Sequence, residues 1–304
     1  MQHAVTDLRR GVMWSLVSAF WVALFIVPWK LAAEVGSGRI NVLLLVISAA
    51  VFNSVPAGKA SRASVAAPLT GFRLWWLAIR LALCTLLGNW LSAQAVARVS
   101  PPVFSVVLRS EALWVALLGL IFLREAVDRL FWVGLLALGA GLWLLQDAPA
   151  GVTATTEGVL YGVAAASSFA VMAVLVRKHI AGINPRQLNA LRLWCAVGCW
   201  FLMNGFPAEL STISWPLMGY VALAALFGPT LSRLCVMMSA RYVPAWLTSL
   251  VSQTSPVFTL LLTLLWGAGL PSERELWGGI LVLSGVVLPL LPKAKGAWSR
   301  SFPT

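Results

Sequence analysis

Three ionisable residues lie deep inside apolar runs, where a charge is costly and is kept for structure or function: Arg80, Arg109 and Glu111. Arg80 is midway along the third run and Glu111 midway along the fourth, so antiparallel neighbouring helices bring them to one depth. That spacing predicts an ion pair between Arg80 and Glu111, serving either helix register and gating or a direct substrate or proton role. Arg109, two residues from Glu111, points to a different face. It offers a free guanidinium, whose fork suits a carboxylate or a phosphate. A cavity holding all three carries net positive charge and favours zwitterions or anions over organic cations. Arg233, toward one end of its run, reads as a snorkelling residue.

The uncharged candidates come from the centres of the runs: Trp21, Ser105 and Ser168. Further along, Thr248, Ser252, Gln253 and Ser255 form a polar stripe broken by Pro256. A proline inside a helix frees a carbonyl and permits a kink, so Ser252, Gln253 and Pro256 are a binding or gating candidate. The competing reading is that these hydroxyls bond back to their own helix. Gly134, Gly141, Gly278 and Gly285 are assigned to close helix packing rather than to substrate.

Other chemistries find little support. There are 2 histidines, and all 4 cysteines fall in apolar runs, so no metal and no cofactor are expected. No phosphate-cradling Walker loop is present, and no acid, histidine or serine cluster suggests an enzyme. The net charge of +12 is spread over short loops without interleaved aromatics, which argues against nucleic acid.

The elements that must position these residues are membrane helices. Of 304 residues, 60% are hydrophobic and 11% charged, against about 25% charged in a soluble domain. Ten apolar runs are read as spans: 11–30, 38–57, 72–93, 101–123, 130–147, 157–177, 188–206, 213–238, 244–267 and 276–292. Each approaches the roughly 20 residues that cross the hydrocarbon. The first is read as a spanning helix and not a cleaved signal, since no cleavage site follows it. Arg9, Arg10, Arg73, Arg124, Arg129, Arg177, Lys178 and Arg186 collect on one side of this array, which predicts both termini cytoplasmic.

The chain also repeats itself. Ala97, Arg98 and Pro101 recur as Ala240, Arg241 and Pro244, and the run from Gly11 to Lys30 aligns with that from Gly158 to Lys178. The expected layout is a five-helix half over 1–147, a linker over 148–156, a second half over 157–292 and a cytoplasmic tail over 293–304. Five spans per half is odd, so the second half is expected upside down: an all-α polytopic protein of two inverted five-helix repeats. Arg98 and Arg241 read as interface anchors.

With these residues in view, the chain resembles the drug/metabolite transporter superfamily, in particular its bacterial EamA-type members. The likeness rests on the two opening helices ending in a basic residue and on Leu123-Arg124-Glu125. It rests also on Ser255-Pro256-Val257-Phe258 and on the paired glycines Gly134 and Gly141, Gly278 and Gly285. The second half lacks a counterpart to Glu125. The resemblance implies an alternating-access carrier of a small organic solute in the bacterial inner membrane, monomeric or weakly dimeric. Its type is most similar to amino acid exporters, including those for aromatic amino acids. Carriage of other metabolites or drugs, such as phosphorylated or nucleotide-linked solutes and organic cations, is the alternative, and a channel a more distant one.

Overall fold

A computed structural model describes residues 8–54, 71–96, 98, 107–108, 110–125, 127, 129–144, 155–207, 213–265 and 273–290. Within them every regular element is helical, as an apolar chain requires when its backbone groups have no water to bond. The helices are α1 (Leu8–Val35), α2 (Gly38–Ser54), α3 (Phe72–Val96), α4 (Glu111–Leu118), α5 (Arg129–Leu144) and α6 (Thr156–His179). They continue as α7 (Pro185–Asn204), α8 (Trp215–Ala225), α9 (Arg233–Tyr242), α10 (Ala245–Ser252), α11 (Ser255–Leu265) and α12 (Glu273–Val287). Local chemistry sets several starts. Thr155, Asn184 and Ser214 each cap a helix by accepting a backbone N–H, and Pro185 opens α7.

The expectation of ten membrane-spanning helices in two inverted five-helix repeats is not met. Among the described residues, 4 helices are long and apolar enough to cross: Leu8–Trp29, Phe72–Ser92, Thr156–His179 and Trp215–Tyr242. Gly38–Ser54, Glu111–Leu123, Arg129–Gly141 and Trp277–Val287 are apolar but only 10–17 residues long. At 1.5 Å per residue they fall short of about 30 Å of hydrocarbon. In α7 the polar and charged Arg186, Asn189 and Arg192 dilute an otherwise apolar run. The run at 244–267 is divided at Gln253 and Thr254, whose N–H groups bond three residues back, to Leu250 and Val251. The tail 293–304 and most of the linker 148–156 lie outside the described residues.

The helices interleave across that linker. α3 packs on α6 and α7, α2 on α7 and α8, and α4 on α6 and α10. α1 lies against α8, α9, α10 and α11, and α5 lies against α12. Each of these contacts joins a helix before residue 148 to one after 156. One apolar cluster surrounds Trp246, which is fully buried with the Phe131 ring edge-on at 5.2 Å. Where α5 crosses α12, glycines meet glycines. A Cβ at Gly134 would collide with the Gly285 carbonyl, and one at Gly141 would come within 2.7 Å of the Gly278 carbonyl. Hydroxyl pairs join α1 to the α9 region: Ser15 with Ser239 at 2.7 Å and Ser18 with Ser232 at 2.9 Å.

Candidate functional site

The bundle interior holds a cation that the sequence reading passed over. Arg192, on α7, is 2% exposed. One terminal nitrogen donates to Thr85 Oγ1 on α3 at 2.9 Å, and the other to Asn189 Oδ1 one turn back at 2.8 Å. Met172 Sδ on α6 lies 3.6 Å from the first. Asn189 in turn donates to Asn53 Oδ1 on α2 and to the Pro229 carbonyl, and Asn53 donates to Thr230 Oγ1. Pro229 and Thr230 sit in a π-helical turn, Leu226–Ser232, that widens the helix between α8 and α9 at Gly228 and Pro229. Three helices therefore meet at the guanidinium, and Asn189 links it to α2 and the π-helical turn. All its bonded partners are neutral, its Nε is buried without a hydrogen-bond partner, and no carboxylate pairs with it among the described residues.

A second cation lies close by. Arg233, at the start of α9, is in electrostatic reach of both Arg192 and Glu111, the first residue of α4. Of the two arginines, Arg233 is the one within reach of that carboxylate. Ser18 and Ser232 join α1 to the residue before Arg233, and Trp21 lies one turn further along α1. Its ring stacks on Phe227 at 5.6 Å, and Phe20 meets Phe258 edge-on at 5.9 Å. An aromatic surface therefore adjoins the charged group.

The other expected site residues are dispersed. Arg80 turns onto its own helix, where Nε donates to the Trp76 carbonyl at 3.3 Å and the guanidinium lies over the Trp76 ring. The cation within electrostatic reach of Glu111 is Arg233. Arg109 and Ser105 lie outside the described residues. Ser168 Oγ donates to the Cys84 carbonyl, tying α6 to α3. Ser252 bonds back to the Thr248 carbonyl, Gln253 is buried at the break between α10 and α11, and Pro256 falls in the first turn of α11.

The duplicated arginines bind the two ends of α6. Arg98 pairs with Glu157 at 3.4 Å and lies over Tyr161, whereas Arg241 donates to the Ile183 carbonyl just past the other end. Beside that second end, Glu125 forms a clamp. Its Oε1 accepts from Arg177 Nε at 2.9 Å, and its Oε2 accepts from the Ala245 N–H at 3.0 Å. Arg177 also donates to the Ala240 carbonyl. The carboxylate thereby serves as both ion-pair partner and helix cap for α10, where a negative charge is favoured. Glu125→Gln keeps an acceptor for Ala245 but loses the charge, and Glu125→Ala loses both. Chemical denaturation is expected to show losses of about 1 kcal/mol for the first and about 2–3 kcal/mol for the second. Equal stability of the alanine variant and the wild type would show that the clamp contributes nothing.

The described residues contain no group of three or more metal-binding side chains. What the arrangement offers is binding: a buried fork of N–H donors, with an aromatic stack of Trp21 on Phe227 in the same part of the bundle. Comparison with known proteins points to a membrane transporter. A crystal structure described only as that of a protein is 18% identical and superposes with a TM-score of 0.74, covering 94% of this chain and 98% of its own. At that identity it establishes likeness of fold alone. No curated protein sequence matches the chain. The family described as EamA-like transporters matches it twice, over residues 9–146 and 156–291. Nearly the whole of the sequence is covered, and the protein belongs to this family of membrane transporters, which are not enzymes.

Proposed function

We propose that this protein is a secondary transporter that moves a small solute bearing a carboxylate across the bacterial inner membrane by alternating access, with export of amino acids, aromatic ones included, as its best-supported role. The observation that carries the reading is the buried Arg192 guanidinium, whose hydrogen-bond partners are all neutral. An unpaired ion buried in a low-dielectric interior costs several kcal/mol, which a bound anion offsets. A carboxylate meeting Arg192 and Arg233 gains charge-assisted, fork-shaped hydrogen bonds. The Trp21 and Phe227 stack favours an aromatic side chain on the same solute. The stretches 1–147 and 157–292 act as the two moving halves, with both termini cytoplasmic. Glu125, Arg177 and Ala245 close one end of their interface.

A phosphorylated solute is the second reading, since two guanidiniums also suit a phosphate. Proteoliposomes decide between them. Saturable counterflow is expected with L-Phe, L-Trp or L-Tyr, and weaker or no flux with sugar phosphates and quaternary cations. Rapid cation uptake that is indifferent to the aromatic amino acids would sink the proposal. Non-saturating flux without counterflow would indicate a channel instead.

A further inference from the structure

Arg80, displaced from the interior, belongs to a different feature. It lines a cavity of about 350 Å³ with Phe72, Arg73, Trp76, Leu77 and His179. Five of these come from the first turns of α3 and His179 from the last turn of α6, so the cavity lies at one end of the bundle. Its walls combine two kinds of surface. Phe72 stacks on Trp76 with ring centroids 6.4 Å apart, and the Arg80 guanidinium continues the column 5.8 Å from the Trp76 ring. Phe72 is 81% exposed and Trp76 51% exposed, so the column faces outward. Arg73 is exposed, and the last turn of α6 adds Lys178 beside His179. His179 Nδ1 is held on the Leu175 carbonyl at 2.9 Å, which leaves Nε2 as the ring nitrogen free of that bond. Among the described residues no carboxylate lines the cavity or pairs with Arg73 or Arg80.

The same face of α3 runs on as a track. Phe72, Trp76 and Arg80 are followed by Leu83, Leu87 and Trp90, at helical steps of three and four, and all three are about half exposed. In a membrane protein such a stripe faces acyl chains. Cations and interfacial aromatics at its head, with an apolar track leading away, match an amphiphile with an anionic head. A soluble anion has no use for the track, and a neutral lipid has none for the arginines.

We infer that this cavity binds an anionic glycerophospholipid, with its phosphate on Arg73, Arg80 and His179 and an acyl chain along Leu83, Leu87 and Trp90. The site is separate from the Arg192 region and stands whatever solute is carried. Basic pockets at the membrane surface hold lipid headgroups in this way.

Native mass spectrometry of the full, detergent-purified chain tests it with phosphatidylglycerol and phosphatidylcholine of identical acyl chains, and with inorganic phosphate as competitor. Preferential retention of phosphatidylglycerol is expected, undisturbed by millimolar phosphate. Each arginine contributes about fivefold, so Arg73→Gln weakens binding about fivefold and Arg73→Gln with Arg80→Gln about 25-fold. Arg39→Gln, whose arginine contacts Asn204 and Trp200 elsewhere in the bundle, leaves it unchanged. Arg73 is exposed, so the single variant tests the site even if the double variant folds poorly. Equal retention of the two lipids, unaltered binding by Arg73→Gln, or displacement by inorganic phosphate would overturn the assignment, the last in favour of a free anion.

Discussion

Arg192→Met is expected to yield a folded, thermally stable protein that no longer carries its solute. Hydrogen bonds to a charged group contribute about 1.5–3 kcal/mol, so losing the fork weakens solute binding about 10- to 150-fold. Stability moves the other way or hardly at all. Methionine is similar in shape, and replacing a buried ion with an apolar side chain is often neutral or stabilising. Against that, Asn189 Oδ1 loses its donor, and Thr85 keeps its bond to the Leu81 carbonyl. The two effects leave a net change within about 2 kcal/mol. Arg192→Lys keeps the charge without the planar fork and falls between methionine and wild type. Counterflow in proteoliposomes and a thermal melt on the same preparation separate the possibilities. A scaffold role for Arg192 requires the reverse pattern, with transport retained per folded molecule and a lowered melting temperature.

Composition and hydropathy made the membrane setting and the all-helical class legible, because an apolar chain has few other ways to satisfy its backbone. The repeated Arg98 and Arg241 were legible as residues, and the structure places their contacts at opposite ends of α6. Helix continuity was not legible. The run at 244–267 breaks where backbone hydrogen bonds shift register, at Gln253 and Thr254, while the π-helical turn Leu226–Ser232 stays within one continuous helix. Hydropathy is blind to register, so uninterrupted runs read as uninterrupted spans. The ion pair between Arg80 and Glu111 failed for a related reason. Equal depth along two helices says nothing about azimuth, and Arg80 points outward along the face of Phe72 and Trp76. Arg192 left a signal that went unused. Asn189 and Arg192, three residues apart inside 188–206, put an amide and a guanidinium on one helix face. The clamp at Glu125 was visible only as a short motif, since its partners Arg177 and Ala245 are distant in sequence.

Gly285→Val is expected to cost about 3 kcal/mol or more, at the upper end of what overpacking does. The reason is what a Cβ would meet there: the Gly134 carbonyl oxygen at 2.5 Å and the Leu138 nitrogen at 2.7 Å. Both are backbone atoms in α5, with no rotamer to change, so relief requires α5 and α12 to separate. Gly279 supplies the control, since nothing lies within 4 Å of a Cβ built on it. Gly279→Ala therefore keeps the interface and gains up to about 1 kcal/mol of helix propensity. Urea or thermal unfolding in detergent reads both, and a Gly285→Val protein as stable as wild type would falsify backbone contact as the basis of this crossing. The consequence reaches transport, because α5 and α12 come from the two separately matched stretches. A contact made by opposed backbones has no side chains to slide past one another. Under the proposed alternating access it is expected to serve as a pivot, with relative motion of the halves greatest at positions remote from it. Substitutions at Gly134 and Gly285 are thus expected to lower the amount of folded carrier. Substitution at Arg192 instead changes the behaviour of carrier that has folded.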